Sequence, residues 1–177
     1  MLITGQRSVS TLMRIIIDII LVINLAALIL LPLWLTALYN DPGLITQLDR
    51  QAYESAPDIS ANSEYPSDLP ASSYLFYLVF LYGAGLGTAW ILLEGHIILR
   101  RLEKSQPFAE RQSGSFKRVS LAFAWLALVF AVKIAFYNTV MTMFCLGLFI
   151  MLALVGLIMA EIFRQAYLVK SENELTI

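Results

Sequence analysis

Five ionisable residues stand within or at the ends of long apolar runs, where a charge is costly and therefore informative. They are Asp18, Glu94, His96, Lys133 and Glu161. A charged side chain at the centre of a bilayer costs about 2.5–3.5 kcal/mol on insertion scales. Each of the five is therefore a candidate for proton transfer, ion passage or ligand binding, and its depth in the membrane decides whether simple interfacial placement explains it instead.

Four of these residues, Asp18, Glu94, His96 and Glu161, are predicted at the cytoplasmic ends of their spans. Together they would form a polar belt that relays protons or holds a ligand, and the alternative is interfacial packing beside arginines. Arg14 precedes Asp18 by four residues, a spacing that predicts an ion pair on one helix face. Glu94 and His96 are two residues apart, so they point to opposite sides of their helix.

Lys133 lies deeper than the other four. Counted from Val119, it is about 21 Å along its helix, past the middle of the bilayer. Its ammonium either reaches the outer headgroups along its flexible stem, or faces a cavity and pairs with an acid of the outer loop. Asn24 and Asn138 are candidate polar neighbours.

Small residues in the second apolar run predict close helix packing. Gly83 and Gly87 form a G-x-x-x-G pair, which lets two membrane helices approach closely. The partner is either another span of this chain or a second copy, so a homo-oligomer is one expectation.

The chain lacks the residues for several kinds of chemistry. It has one cysteine, Cys145, and one histidine, His96, which cannot supply the four ligands of a structural zinc site. No catalytic triad, metal-ligand set or phosphate loop is recognisable. We therefore expect no catalytic residues, no cofactor, no metal and no enzymatic activity.

The composition of the chain predicts that membrane-spanning helices position these ionisable residues. Apolar residues make up 59% of the chain and charged residues 14%, whereas soluble domains have about 45–50% and about 25%. About 20 apolar residues cross a bilayer as a helix. The sequence predicts one all-α polytopic membrane domain with four transmembrane helices, in which Pro32 kinks the first helix and a tight turn at 137–139 joins the last two. The predicted spans are 15–39, 74–99, 119–136 and 140–163.

Basic residues predict the orientation of the spans. Of 12 lysines and arginines, two precede the first span, six lie in the loop 100–118 and two in the tail 164–177. The loop 40–72 holds one arginine and six acids. Because basic loops stay cytoplasmic, we predict a multi-pass membrane protein with both termini in the cytoplasm. The basic loop is expected to attract anionic membrane lipid, with no direct nucleic-acid contact.

Three features carry a family resemblance: the C-terminal stretch 160–166 followed by Glu172-Asn173-Glu174-Leu175-Thr176-Ile177, the loop 102–108 with Pro107-Phe108, and four spans whose longest loop lies outside between the first two. Together they resemble a bacterial membrane-protein family known as domain of unknown function 2975. The resemblance implies a bacterial cytoplasmic membrane. Before the Pro-Phe the family commonly has Gly-Asn, and this chain has Ser105-Gln106. The family has no assigned activity. Some members are similar to proteins whose genes lie beside the gene of a small helix-turn-helix regulator. The resemblance therefore implies a membrane partner for a cytoplasmic transcription factor.

These observations predict a non-enzymatic sensor or membrane partner of a small cytoplasmic regulator. Its partner-binding residues would be Pro107, Phe108, Glu172, Glu174, Leu175 and Ile177. The alternative is a small transporter or immunity-type protein with a path along Lys133 and the predicted acidic belt.

Overall fold

A computed structural model describes residues 9–40, 73–103, 110–136 and 139–175. Over these residues the chain forms four helices and no strand, and each helix is long and apolar enough to cross a membrane. The predicted all-α membrane fold with four transmembrane helices is confirmed. The helices are α1 (Val9–Asn40), α2 (Tyr74–Glu103), α3 (Glu110–Phe136) and α4 (Val140–Leu175).

Large apolar side chains point away from the protein along these helices. Ile29 is 76% exposed, Trp34 69% and Val140 86%. In water such a surface would be a large aggregation-prone patch, whereas lipid tails solvate it at no cost. The exposed apolar faces therefore agree with a membrane as the solvent of this protein.

The helices are longer than the predicted spans. The segment 100–118, predicted as a loop, is helical at both ends, because α2 continues to Glu103 and α3 begins at Glu110. The predicted tail 164–177 is helical to Leu175. Arginine, lysine, glutamate and glutamine are good helix formers, so charge marks where a helix leaves the apolar region and not where it ends.

Two local features shape the helices. The helix α1 continues through Pro32, whose carbonyl accepts a hydrogen bond from Thr36 Oγ1 at 2.7 Å. Thr139 is the N-cap of α4, since its carbonyl and hydroxyl oxygens both accept from the Thr142 amide, at 2.9 and 3.3 Å. This cap begins α4 directly after the predicted turn, of which residues 137 and 138 lie outside the described residues.

The described residues belong to two compact units, one with the chain up to Ala26 and from Gly83 onward, the other spanning Ala27–Tyr82. In the second unit Tyr39 and Tyr74 meet edge to face at 5.3 Å between ring centroids. Thr36 and Tyr74 also share a hydrogen bond of 3.2 Å between their hydroxyls.

In the first unit α3 and α4 pack antiparallel along a row of small residues. Ser113 donates to the carbonyl of Ala160 at 2.8 Å, and Ser120 donates to the carbonyl of Ala153 at 2.5 Å. The two contacts are seven residues apart on each helix, an interval that returns to the same helix face after two turns. A Cβ placed on Gly156 would lie 3.0 Å from the Ser120 Cβ. The two helices are therefore so close at this point that only the hydrogen of glycine fits without a shift.

The predicted packing glycines lie on α2 against α3. A Cβ on Gly87 would come within 2.7 Å of Leu126 Cδ2, and one on Gly83 within 3.3 Å of Val129 Cγ2. Trp125 Nε1 donates to the Gly83 carbonyl at 3.0 Å. The two glycines thus serve packing within the chain, and homodimerisation through them stays a prediction.

Candidate functional site: a polar layer between helices

Charged and polar side chains of α1, α2 and α3 meet at one end of the first unit. We call this set the polar layer, and its side chains form three ion pairs between helices and one serine-centred network. Its members are Arg14, Asp18, Glu94, His96, Arg101, Glu103, Ser115 and Arg118.

The first pair joins α1 to α2. His96 Nδ1 and Asp18 Oδ1 are 2.5 Å apart, with both side chains partly exposed. The helices approach closely here, since a Cβ on the adjacent Gly95 would lie 3.3 Å from Ile17 Cδ1. This contact ties α1 to α2 at the level of the polar layer.

The second pair also joins α1 to α2, and it corrects a prediction. Arg14 Nη1 donates to Glu103 Oε2 at 2.6 Å, whereas we predicted that Arg14 would pair with Asp18. A pair within one helix contributes only about 0.2–0.5 kcal/mol, and a cation placed before its acid is the weaker order. The neighbouring helix offers each residue a closer partner, so the predicted intrahelical pair does not form.

The third pair joins α2 to α3, and its acid has the most buried side chain of the three pairs. Glu94 is 6% exposed. Arg118 donates to it through Nε and through Nη2, the latter at 3.1 Å from Oε2. This two-pronged geometry is the strong form of an arginine–carboxylate contact. Arg118 Nη2 also donates to Ser115 Oγ at 3.1 Å.

Arg101 ties α2 to the first turns of α3. Its Nη1 donates to the Arg111 carbonyl and to Ser115 Oγ, each at 2.8 Å, and lies 3.4 Å from Gln112 Oε1. Ser115 is completely buried and accepts from both Arg101 and Arg118. The Ser115 hydroxyl thus holds two guanidinium groups beside each other. Because the two positive charges repel, the nearby Glu94 carboxylate stabilises this arrangement.

Glu161 does not join this network in the described residues. It accepts from Arg164 Nη2 at 2.7 Å and from Gln165 at 3.2 Å, both on its own helix. The predicted four-residue belt is therefore replaced by separate pairs, with Asp18 and His96 together, Glu94 with Arg118, and Glu161 within α4.

Lys133 lies at the other end of α3, in its last turn, where a cation is favoured by the helix dipole. Its Nζ donates to Thr142 Oγ1 at 3.2 Å, and the Thr139 hydroxyl lies 2.5 Å from the same oxygen. Asn24 is not among the partners described for Lys133, and its Oδ1 is buried without one in the described residues. Asn138 and the outer-loop acids lie outside the described residues.

This geometry is suited to holding helices together more than to moving an ion. Asp18 and Glu94 are each engaged by a partner, and Lys133 is about 22 Å of helix away from Arg118. Over the part of the chain that the structure describes, no three His, Cys, Asp or Glu side chains are placed to hold a metal ion. The transporter alternative therefore stays a prediction.

The sequence of this chain matches a known family over most of its length. The family described as "Protein of unknown function (DUF2975)" matches residues 47–177, about three-quarters of the chain. The chain belongs to this family. No curated protein and no solved structure matches it. Residues of the polar layer on α2 and α3 fall within the part shared with the DUF2975 family, and those of α1 precede it.

Part of the tail segment by which this chain resembles the DUF2975 family, residues 172–175, lies at the end of α4. Glu172 is exposed, and Glu174 and Leu175 belong to the last turn by their backbone. Pro107, Phe108 and Ile177 lie outside the described residues. The structure thus places part of the predicted partner-binding set on one helix end.

Sequence reasoning missed several residues that the structure brings to the site. Glu103, Ser115 and Arg118 were read as parts of a basic loop, and Gly156 was not singled out. A signal was present for the packing residues, since Ser113, Ser120 and Ala127 recur every seven residues, as do Ala153 and Ala160. No comparable periodicity marks the ion pairs.

Proposed function

We propose that this protein is a non-enzymatic sensor or membrane partner of a soluble cytoplasmic regulator, of the helix-turn-helix type that the family resemblance implies. In this proposal it resides in a bacterial cytoplasmic membrane with both termini in the cytoplasm. The observation that carries the proposal is the unbroken course of α4 from Val140 to Leu175.

The length of α4 exceeds what a bilayer needs. Its 36 residues extend about 54 Å, against a hydrocarbon core of about 30 Å. In this proposal the start of α4 lies at one interface, so the excess length projects from the other. A tilt or shift of the transmembrane part would move the projecting end as one rigid body, which suits transmission to a bound protein.

The projecting part of α4 carries apolar surface beside charge. Leu168 is 46% exposed and Val169 57%, while Arg164, Lys170 and Glu172 lie around them. Exposed apolar residues with a charged rim are typical of protein contact sites. The acidic Glu172 and Glu174 would complement a basic surface such as a DNA-binding protein has.

The charge distribution supports the proposed orientation. Arg14, Arg101, Arg111 and Arg118 all lie at the end of the first unit where the polar layer is found. The positive-inside rule assigns such an end to the cytoplasm.

The orientation is tested by reporter fusion. Alkaline phosphatase, which is active only outside the cytoplasm, is expected to be inactive when fused after Ile177, and green fluorescent protein at the same site is expected to fluoresce. A phosphatase inserted in the loop 40–72 serves as the positive control, with strong activity expected. Phosphatase activity at Ile177 would overturn the proposed orientation and the cytoplasmic partner with it.

Partner binding is tested with the full-length protein in nanodiscs and a purified helix-turn-helix regulator of the kind that the family resemblance implies. Deleting residues 171–177 is expected to lower the affinity at least about tenfold, a loss of about 1.4 kcal/mol or more, measured by biolayer interferometry. A Val140→Ser protein is the matched control, because Val140 is an exposed residue at the opposite end of the same helix. Unchanged binding after the deletion would show that the tail is not the contact.

A further inference from the structure

A polar cavity of about 660 Å³ opens between α2 and α3. Its described lining is Arg101 from α2 together with Arg111, Gly114 and Arg118 from α3. Ligand pockets commonly measure about 300–1,000 Å³, so the space suits a small molecule or a headgroup. Three guanidinium groups around one space repel one another, and an anion within it would relieve that repulsion.

The three arginines keep hydrogen-bond donors available. Every hydrogen bond described for Arg101 runs through its Nη1, which leaves Nε and Nη2. Arg118 uses Nε and Nη2, which leaves Nη1. Arg111 is exposed, and its guanidinium has no polar partner among the described residues. Since arginine carries five N–H donors in a planar fork, two of these groups are held in place while still able to donate.

Among the described side chains, the positive charge around the cavity is not balanced by acids. Glu94 binds Arg118, and Glu103 is bonded to Arg14, which leaves the charges of Arg101 and Arg111 in excess. Along the sequence, the segment 100–118 carries six cations against Glu103 and Glu110. A bound phosphodiester, with one negative charge, would neutralise part of this surplus.

Gly114 keeps the cavity open. A Cβ at this position would lie 4.0 Å from Arg118 Nη1, an ordinary van der Waals distance. Alanine would therefore fit, whereas a leucine side chain would extend into the space beside Arg118. The cavity can thus be filled without changing any charge.

We propose that this cavity binds the phosphate group of an anionic membrane lipid. Arginine recognises phosphate through paired N–H donors, and basic pockets between membrane helices are a known setting for such headgroups. The cavity also lies at the right depth, since Arg111 to Arg118 directly precede the apolar stretch that starts at Val119. A dissolved phosphate compound shares the same chemistry, so the experiment separates the two sources. The proposal does not depend on the cytoplasmic partner.

The test measures retention of phosphatidylglycerol by the purified full-length protein in neutral detergent, by native mass spectrometry after wash-out at about 0.5 M salt. At that ionic strength, charges more than a few ångströms from the lipid are largely screened. Arg111→Gln is the main variant, because an exposed side chain without a described partner can be changed without loss of fold. Arg100→Gln is its matched control, an exposed cation one residue before Arg101 that is not in the described lining. Gly114→Leu fills the cavity, with Gly114→Ala as its control.

The expected result is about a tenfold loss of phosphatidylglycerol affinity for Arg111→Gln and for Gly114→Leu, against less than about twofold for the two controls. Retention of phosphatidylcholine should be weak and should not differ between the variants. Inorganic phosphate binding is also measured in phosphatidylcholine nanodiscs. If phosphate binding is lost in the same variants and the protein does not prefer phosphatidylglycerol, the site belongs to a soluble phosphate compound instead. An equal loss in Arg100→Gln and Arg111→Gln, or no effect of Gly114→Leu, would overturn the site. A size-exclusion profile of each variant confirms that it remains folded.

Discussion

Replacing Gly156 with leucine is expected to lower the free energy of unfolding by about 3 kcal/mol, the upper end of overpacking in a filled core. The reason is the close contact of α4 with α3. A Cβ at Gly156 would lie 3.0 Å from the Ser120 Cβ, 3.2 Å from its Cα and 3.4 Å from its amide nitrogen. Two of these neighbours are backbone atoms, which cannot turn aside, so the helices must separate.

Separation of the helices would break further contacts in the same interface. Ser120 donates to the Ala153 carbonyl and Ser113 to the Ala160 carbonyl. Phe116 also stacks on Phe163 with 4.8 Å between ring centroids. Hydrogen bonds between membrane helices are individually modest, about 0.6 kcal/mol on average. Loss of several together is what makes this substitution severe.

Gly147 provides the matched control on the same helix. Nothing lies within 4 Å of a Cβ placed there, so Gly147→Leu should be stable or slightly stabilised through its higher helix propensity. Unfolding of each purified protein is followed by tryptophan fluorescence during titration of dodecyl sulfate into mixed micelles. If the two leucine variants unfolded at the same detergent fraction, the close α3–α4 contact would be refuted.

The extent of the helices shows what can be predicted from sequence and what cannot. The apolar runs located all four spans because lipid demands about 20 apolar residues in helical form. They could not locate the helix ends, because charged residues such as Arg100, Arg101 and Glu103 continue the helix beyond its apolar run. The basic segment was therefore predicted as a loop, although it is mainly the ends of two helices.

The polar layer shows a second limit. The sequence indicated that Asp18, Glu94 and His96 lie at one level, and the opposite directions of Glu94 and His96 agree with their partners on α3 and α1. It could not indicate which residues face each other, because that depends on the rotation and register of separate helices. Arg14 was thus assigned to Asp18 when Glu103, far along the chain, lies closer.

The pair of Glu94 and Arg118 is expected to respond unequally to loss of either member. The Glu94 side chain is 8% exposed and that of Arg118 47%. Arg118→Met would leave a carboxylate buried without its partner, which costs about 3–5 kcal/mol. Glu94→Met would leave an arginine that can turn toward water or lipid headgroups, so the loss should be nearer the about 1.5–3 kcal/mol of a charged hydrogen bond.

The double variant decides whether the two residues act on each other. Replacing both Glu94 and Arg118 with methionine removes the buried charge with its partner, and such replacements are often neutral. We therefore expect the double variant to unfold at a higher detergent fraction than Arg118→Met alone, with a coupling energy above about 1 kcal/mol in the four-protein cycle. Arg164→Met is the charge-matched control, since Arg164 is exposed and its partner Glu161 is also partly exposed. Additive losses would mean that Glu94 and Arg118 contribute separately, and the polar layer would then hold α2 to α3 through the Arg101 and Ser115 contacts instead.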